Sequence, residues 1–247
     1  MKKFGIIGYP LGHSFSPGYF NEKFQNEGID AHYDKYELPV ITDLQPVIDY
    51  TPELCGFNVT IPYKEKVMSF LDNISPEARA IGAVNVVKVT HKENGKPYLE
   101  GYNSDVIGFS RSISPLLLPH HKKALILGTG GASKAVNHGL RQLGLETVFV
   151  SRSEKDNTIT YAQLTKEIIE EYTVIVNCTP AGMAPHFDEC PAIPYEHLTS
   201  KHMLYDLIYN PDETLFLKKG REAGCITKNG LEMLLLQAEA GWEIWNS

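Results

Sequence analysis

Residues 124–152 read ALILGTGGASKAVNHGLRQLGLETVFVSR. The apolar run at 124–127 predicts a short buried strand, and four residues containing three glycines follow it at once. Apolar residues then recur at helical spacing from Ala132 to Leu143, and Gly144 stands where a helix commonly ends. A second apolar run occupies 147–150. The pattern predicts a strand–loop–helix–strand unit and therefore an α/β fold.

Such a unit is typical of one half of a dinucleotide-binding, Rossmann-like fold. Gly128, Gly130 and Gly131 would let the backbone approach a pyrophosphate, and the helix that begins near Ala132 would supply free N–H groups. The third glycine of the usual pattern is replaced by Ser133. A glycine loop alone is also compatible with a tight turn, so the prediction depends on the strand before it and the helix after it.

The residues that end the second strand indicate which dinucleotide is bound. An NAD site usually has Asp or Glu there, whereas this chain has Ser151, Arg152 and Ser153. A guanidinium can hold a 2′-phosphate through two hydrogen bonds, and the two hydroxyls can add others. We therefore predict NADP as the cofactor. The alternative is that Arg152 is an ordinary surface arginine.

Length and composition limit the class of protein. The chain has 247 residues, and the nucleotide-binding pattern begins near its middle, so the front half is expected to form a domain of its own. The net charge of -7 argues against nucleic acid as the main partner. No apolar run is long enough to span a membrane. The spacing of the four cysteines fits neither a zinc site nor a short disulfide framework. These features predict a cytoplasmic protein with reduced thiols and no structural metal, in which His120 and His121 belong to a solvated linker.

The front half contains two hydroxyls close to a predicted helix start. Pro17 suits the first turn of a helix, with Ser16 as the N-cap, and Gly28 would end that helix. Capping does not explain Ser14, which is expected to face the same side as Ser16. Two hydroxyls at this place would suit a carboxylate or a polyol, although ordinary turn chemistry is an alternative.

Three further polar residues of the front half are candidates for chemistry. Lys64 is predicted to lie in the first turn of a helix over 63–70, where the helix dipole disfavours its positive charge. A lysine that transfers protons would gain from a less favoured charge, whereas a surface lysine would tolerate the small cost. Asn85 lies inside a predicted strand over 83–90, as a bulge residue or as part of a polar site. Asp105 precedes a predicted helix that it could simply cap.

The back half continues the parallel-sheet pattern. A strand over 174–177 is followed by a loop over 178–183 that includes Thr179, at the sheet edge where ligands bind. One helix is expected over 161–171, and a last helix over 231–245 carries Gln237 and returns to the front domain. The predicted domains are therefore 1–104 with 230–247, and 105–229.

Eight short motifs occur in an order that is similar to one family. They read SFSP at 14–17, NVTIPYK at 58–64, GAVN at 82–85, NSD at 103–105, GTGGAS at 128–133, SRS at 151–153, YD at 205–206 with YNP at 209–211, and NGL at 229–231 followed by Gln237. Together they resemble the shikimate dehydrogenases along nearly the whole chain.

The resemblance implies reversible reduction of 3-dehydroshikimate to shikimate with NADPH, by a monomer or homodimer. It implies a catalytic pair, Lys64 and Asp105. The substrate would be contacted by Ser14, Ser16, Thr60, Asn85, Tyr209 and Gln237. The cofactor would be held by Gly128, Gly130, Gly131, Ala132, Ser151, Arg152, Ser153, Thr179 and Gly230. Two alternatives are a related enzyme that accepts quinate, with NAD or relaxed cofactor use, and a non-catalytic NADP-binding regulator; Arg152 argues against the first, and the presence of both Lys64 and Asp105 against the second.

The chain departs from the family pattern at several positions. Ser104 replaces the usual threonine but keeps the hydroxyl, and Val106 replaces a glycine. A second arginine that many members have shortly after the first is absent, and Glu154, Lys155 and Asp156 occupy that region. Lys155 could substitute for it, but the preference for NADP over NAD is expected to be weaker.

Overall fold

A computed structural model describes residues 1–12, 14–92, 95–154 and 157–247. The chain divides into two compact units, residues 1–104 with 238–247 and residues 105–237. Within the described residues each unit contains one six-stranded sheet with helices, which confirms the predicted α/β class. The role of each unit as a substrate or cofactor domain stays a prediction.

The first unit contains six strands and three complete helices among its described residues. The strands are β1 (Lys2–Gly8), β2 (Ala31–Glu37), β3 (Leu54–Val59), β4 (Asn73–Ile74), β5 (Val86–His91) and β6 (Pro97–Tyr102). The helices are α1 (Phe15–Glu27), α2 (Leu44–Asp49) and α3 (Pro76–Ile81), with 3-10 turns at Ile41–Asp43 and Lys66–Phe70. The strand order is β2-β1-β3-β5-β6-β4.

Strand direction in this sheet decides which loops share an edge. β1 is parallel to β2 and to β3, whereas β5 is antiparallel to both β3 and β6. The Asn94-Gly95 pair in the sequence predicts a hairpin turn over 93–96 between β5 and β6, but Glu93 and Asn94 lie outside the described residues. The carboxyl ends of β1, β3 and β6 therefore lie at the same edge as the amino end of β5.

The second unit has a fully parallel sheet over its described residues. Its strands are β7 (Lys123–Leu127), β8 (Glu146–Ser151), β9 (Thr158–Thr160), β10 (Val174–Asn177), β11 (Met203–Asp206) and β12 (Ile226–Lys228), in the order β12-β11-β10-β7-β8-β9. All neighbouring strands pair in parallel. The helices are α4 (Asp105–Ile113), α5 (Gly131–Gln142), α6 (Lys166–Glu171) and α7 (Leu215–Glu222). The sheet order reverses at β7, which is where such folds bind ligands.

The last helix, α8 (Leu231–Asn246), contributes to both units. Residues up to Gln237 belong to the second unit, and residues from Ala238 belong to the first. Ala238 and Trp245 pack in the aromatic core of the first unit with Phe4 and Phe20. The sequence-based division instead assigned all of 230–247 to the front domain. None of the helices in the described ranges is both long and apolar enough to cross a membrane.

Three local predictions were wrong. Helix α1 begins at Phe15 with Ser14 before it, so Ser16 is not the N-cap but a buried residue of the first turn. Lys64 lies before a 3-10 turn, Lys66–Phe70, and not in the first turn of an α-helix, so the argument from the helix dipole does not apply to it. The single helix expected over 161–171 is divided into the 3-10 turn Tyr161–Gln163 and α6, because Thr160 and Thr165 each cap a separate element.

Candidate active site

The edge of the first sheet gathers polar residues from four chain segments. Ser14 and Ser16 follow β1, Thr60 and Lys64 follow β3, and Asn85 precedes β5. The segment that follows β6 ends in Ser104. Topology alone thus brings together the predicted substrate residues of this unit.

The segment after β3 is held by its backbone. Thr60 N donates to Ile7 O at 2.9 Å, and Tyr63 N donates to Thr60 O at 2.9 Å. Lys64 O accepts from Val84 N at 2.8 Å. The half-buried Lys64 is therefore attached to the segment that carries Asn85.

Asn85 is buried and lies immediately before β5, not in the interior of a strand as predicted. Its Nδ2 donates to Ser104 Oγ at 3.0 Å, and its Oδ1 accepts from Ser104 N at 2.7 Å. Asn103 Nδ2 donates to Ala83 O at 2.9 Å. Asp105 is the next residue after Ser104 and the first residue of α4, so it does not precede its helix as a cap.

The two serines before and within α1 have different surroundings. Ser14 is half-buried, and its Oγ donates to Leu11 O at 3.0 Å. Ser16 is buried in the first turn of α1. Both lie at the sheet edge described above.

In the second unit, the glycine loop meets the ends of two other strands. Gly128 N donates to Val150 O at 2.9 Å, and Cys178 N donates to Leu127 O at 2.9 Å. Gly128 has a φ of 101°, and a Cβ added there would lie 3.1 Å from Thr179 Cγ2. Glycine is required here because the loop over 178–183 packs directly against the backbone.

The start of α5 has the form of an anion site. Gly130 is the N-cap without a side-chain cap, and a Cβ added at Gly130 would meet nothing within 4 Å. Ser133, which replaces the third glycine, is fully buried and donates from Oγ to Gly130 O at 2.6 Å. The serine thus occupies no space above the helix N-terminus, and Gly131 and Ala132 begin the helix as predicted. These residues fit a pyrophosphate.

The end of β8 carries the predicted 2′-phosphate residues. Ser151 is buried, and its Oγ accepts from Ser153 N at 3.4 Å. Arg152 and Ser153 are exposed. Lys155, considered as a second positive charge, lies outside the described residues together with Asp156.

The other predicted residues of this unit lie shortly after β11, just before α8 and within α8. Gly230 N donates to Ile208 O at 3.0 Å, and a Cβ at Gly230 would clash with Leu207 O. Close packing therefore requires this glycine, whether or not a cofactor contacts it. Gln237 is half-buried, and Tyr209 is 37% exposed.

The sequence of this chain is similar to known proteins over nearly its whole length. The sequence model of the shikimate dehydrogenase substrate binding domain matches residues 6–87. The NADP(+) shikimate dehydrogenase of Carboxydothermus hydrogenoformans is 40% identical, with 98% of this chain and 90% of that protein covered. The chain belongs to the shikimate dehydrogenase family.

Solved structures of shikimate dehydrogenase relatives match the whole chain. The enzyme of Thermus thermophilus in complex with NADP(H) and shikimate has a TM-score of 0.85 at 30% identity, covering 99% of this chain and 93% of that one. The quinate dehydrogenase of Corynebacterium glutamicum in complex with NAD has a TM-score of 0.86 at 26% identity, covering 99% and 93%. Because the fold is shared by both kinds of enzyme, individual residues must decide between the two substrates.

Sequence reasoning missed a buried polar network that is centred on Asp206. Asp206 is fully buried and accepts from Asn177 Nδ2 at 3.0 Å, Thr214 Oγ1 at 2.6 Å and Ile208 N at 3.1 Å. Asn177 Oδ1 in turn accepts from Thr179 N at 3.0 Å and Thr179 Oγ1 at 2.6 Å. Burial raises the pKa of Asp206 to about 6. The available signal was a polar residue at the carboxyl end of each of two apolar strands.

The histidine prediction was partly wrong. His121 is buried, with Nδ1 accepting from Leu118 N at 3.0 Å and Nε2 3.1 Å from Lys201 O, so it is not a solvated linker residue. Burial lowers the pKa of His121. Over the described parts of the chain, no group of three or more His, Cys, Asp or Glu side chains could hold a metal ion.

Proposed function

We propose that this protein reduces 3-dehydroshikimate to shikimate with NADPH, reversibly, with Lys64 and Asp105 as the catalytic pair. We further propose that it acts in the cytoplasm as a monomer or homodimer and has no nucleic-acid partner. The proposal extends the family assignment to the substrate and to individual residues of this chain.

One structural observation carries the assignment of the pair. Lys64 O accepts a hydrogen bond from Val84 N. The side chain of Asn85, the residue after Val84, accepts a hydrogen bond from Ser104 N. The residue that precedes Asp105 and the backbone of Lys64 are therefore anchored to adjacent positions of one segment. This arrangement supports a role for both residues at one substrate.

The chemistry of a ketone reduction needs such groups. When bound, NADPH supplies the hydride that reduces the ketone carbon, and negative charge develops on the oxygen. The Lys64 ammonium would donate a proton to that oxygen, and Asp105 would orient the ammonium and stabilise its positive charge. A positioned acid of this kind contributes about 10²–10⁴-fold to the rate.

The remaining residues are assigned to binding. Ser14, Ser16, Thr60, Asn85, Tyr209 and Gln237 would contact the carboxylate and hydroxyls of the substrate. The N-terminus of α5 would bind the pyrophosphate, with Gly128, Gly130, Gly131 and Ala132 close to it. Ser151, Arg152 and Ser153 would hold the 2′-phosphate, and Thr179 and Gly230 would complete the cofactor site.

A steady-state assay tests this function directly. The purified protein is given shikimate or quinate with NADP or NAD, and formation of the reduced nucleotide is followed by its absorbance. We expect the highest kcat/KM with shikimate and NADP. Equal or greater kcat/KM with quinate and NAD would contradict the proposed substrate and cofactor, and absence of turnover with every pair would contradict an enzymatic function.

A further inference from the structure

Tyr33 and Asn58 were not among the predicted site residues, although both lie in the first unit beside residues that were. Tyr33 is on β2 and Asn58 is on β3; the side chains are 1% and 6% exposed. The Tyr33 hydroxyl donates to Asn58 Oδ1 at 2.6 Å. A fully buried phenol thus holds an amide in the centre of the sheet.

The hydrogen bonds continue from Asn58 to the opposite side of the site. Asn58 Nδ2 donates to Asn85 O at 3.3 Å, and Val59 N donates to the same carbonyl at 2.9 Å. The Asn85 side chain then bonds to both the backbone N–H and the hydroxyl of Ser104. We call Tyr33, Asn58, Asn85 and Ser104 the buried polar chain.

The buried polar chain crosses the sheet in the order β2, β3, the start of β5 and the end of β6. Each inner member has its hydrogen-bonding groups directed to the next member, so displacement of one changes the position of its neighbours. Buried polar networks of this kind specify a single arrangement, because an unpaired polar atom in the interior is costly.

We propose that Tyr33 and Asn58 are positioning residues that set the placement of Asn85 for the substrate. The inference rests on the proposed function and deepens it, since it assigns the affinity for shikimate partly to two buried residues outside the proposed set of substrate contacts. The ring of Tyr33 stacks on Phe20 at 4.9 Å, so its packing and its hydroxyl can be tested separately.

The test compares two Tyr→Phe variants on the same strand. Tyr33→Phe removes the hydroxyl from the buried polar chain and keeps the aromatic packing. Tyr36→Phe is the matched control, because Tyr36 lies on the opposite face of β2 from Tyr33. The KM values for shikimate and for NADP are measured for both variants and for the unsubstituted protein.

We expect Tyr33→Phe to raise the KM for shikimate about tenfold, the loss expected for about one hydrogen bond, and to leave the KM for NADP unchanged within about twofold. Tyr36→Phe should change neither value by more than about twofold. An unchanged KM for shikimate in Tyr33→Phe would overturn the inference while leaving the proposed function intact. Absence of turnover in the unsubstituted protein would overturn the proposed function and this inference with it.

A double-mutant cycle separates positioning from a general structural effect. If Tyr33 acts through Asn85, Tyr33→Phe should have little further effect on the KM for shikimate in an Asn85→Ala background. Full additivity would overturn the inference. If Tyr33→Phe alone does not fold, Tyr33→Phe combined with Asn58→Leu replaces both partners by apolar groups, and the same rise in the KM for shikimate is expected.

Discussion

Asn85 and Ser104 hold each other through two hydrogen bonds, Asn85 Nδ2 to Ser104 Oγ at 3.0 Å and Ser104 N to Asn85 Oδ1 at 2.7 Å. Both residues are buried, so neither bond is exchanged readily with water. The pair fixes the end of the segment after β6 against the start of β5. In the proposed function, this places a substrate-binding amide next to the residue that leads into Asp105.

Loss of this pair should reduce stability. We expect Asn85→Ala to lower the free energy of unfolding by about 2–4 kcal/mol. The buried N–H of Ser104 loses its acceptor, and the buried hydroxyl of Ser104 loses its donor. Ser104→Ala should cost about 1 kcal/mol, since the bond from its N–H remains. Urea denaturation measures both values. Ser69→Ala, the same change at an exposed serine, is the control and should change the free energy of unfolding by no more than about 0.5 kcal/mol. Equal losses of free energy in all three variants would contradict the role of the pair.

Lys64 is expected to be needed for turnover and not for binding of NADPH. Lys64→Ala should lower kcat by about 10²–10⁴-fold, because it removes the proposed proton donor. Steady-state kinetics measure kcat, and a fluorescence titration measures the Kd for NADPH. Lys66→Ala changes an exposed lysine two residues away and should retain activity. A kcat near that of the unsubstituted protein in Lys64→Ala would show that the catalytic assignment is wrong.

Arg152 is expected to read the 2′-phosphate. Arg152→Ala should raise the KM for NADPH by about 10- to 100-fold, the effect of one charge-assisted hydrogen-bonded contact, and leave the KM for NADH nearly unchanged. Arg141→Ala, at an exposed arginine in the last turn of α5, is the matched control. If both nucleotides lose affinity equally in Arg152→Ala, this arginine does not discriminate between them.

Asp206 is expected to make stability depend on pH. Burial raises the pKa of Asp206 to about 6 in the folded protein, above its ordinary value of 3.8. The folded state therefore holds this proton more tightly than the unfolded state, and the contribution of the group to stability falls as the pH rises from about 4 to about 6. Between pH 4.5 and 7 the loss is about 2 kcal/mol.

Asp206→Asn removes this titration and isolates its effect. The difference in free energy of unfolding between Asp206→Asn and the unsubstituted protein should shift by about 2 kcal/mol in favour of the variant from pH 4.5 to 7. Urea denaturation at both pH values measures it. Hydrogen bonds altered by the amide add the same offset at each pH, so a difference that does not change with pH would contradict the raised pKa.

Local sequence patterns were sufficient for the strand–loop–helix–strand segment that contains the glycine loop. The strand, glycine loop, helix and strand over 123–151 are present as predicted, since each is specified by nearby residues: apolar runs make the strands, and Gly128 and Gly144 have positive φ. The helix ends at Gly28 and Gly82 follow for the same reason. The family motifs then identified candidate site residues whose roles the spacing of residues alone did not decide.

Contacts between distant segments were decided by tertiary structure. Tyr33 and Asn58 are 25 residues apart, and nothing near either residue shows that they share a hydrogen bond. Ser16 was mistaken for a cap, because α1 begins one residue earlier than the capping signals indicate. Lys64 was mistaken for a helical residue, because local signals do not record that its carbonyl is bound by the distant Val84 N. The burial that raises the pKa of Asp206 likewise arises only when β10, β11 and the start of α7 are packed together. Sequence spacing specifies elements because their hydrogen bonds are local, whereas the surroundings of a buried polar group depend on which remote strands close over it.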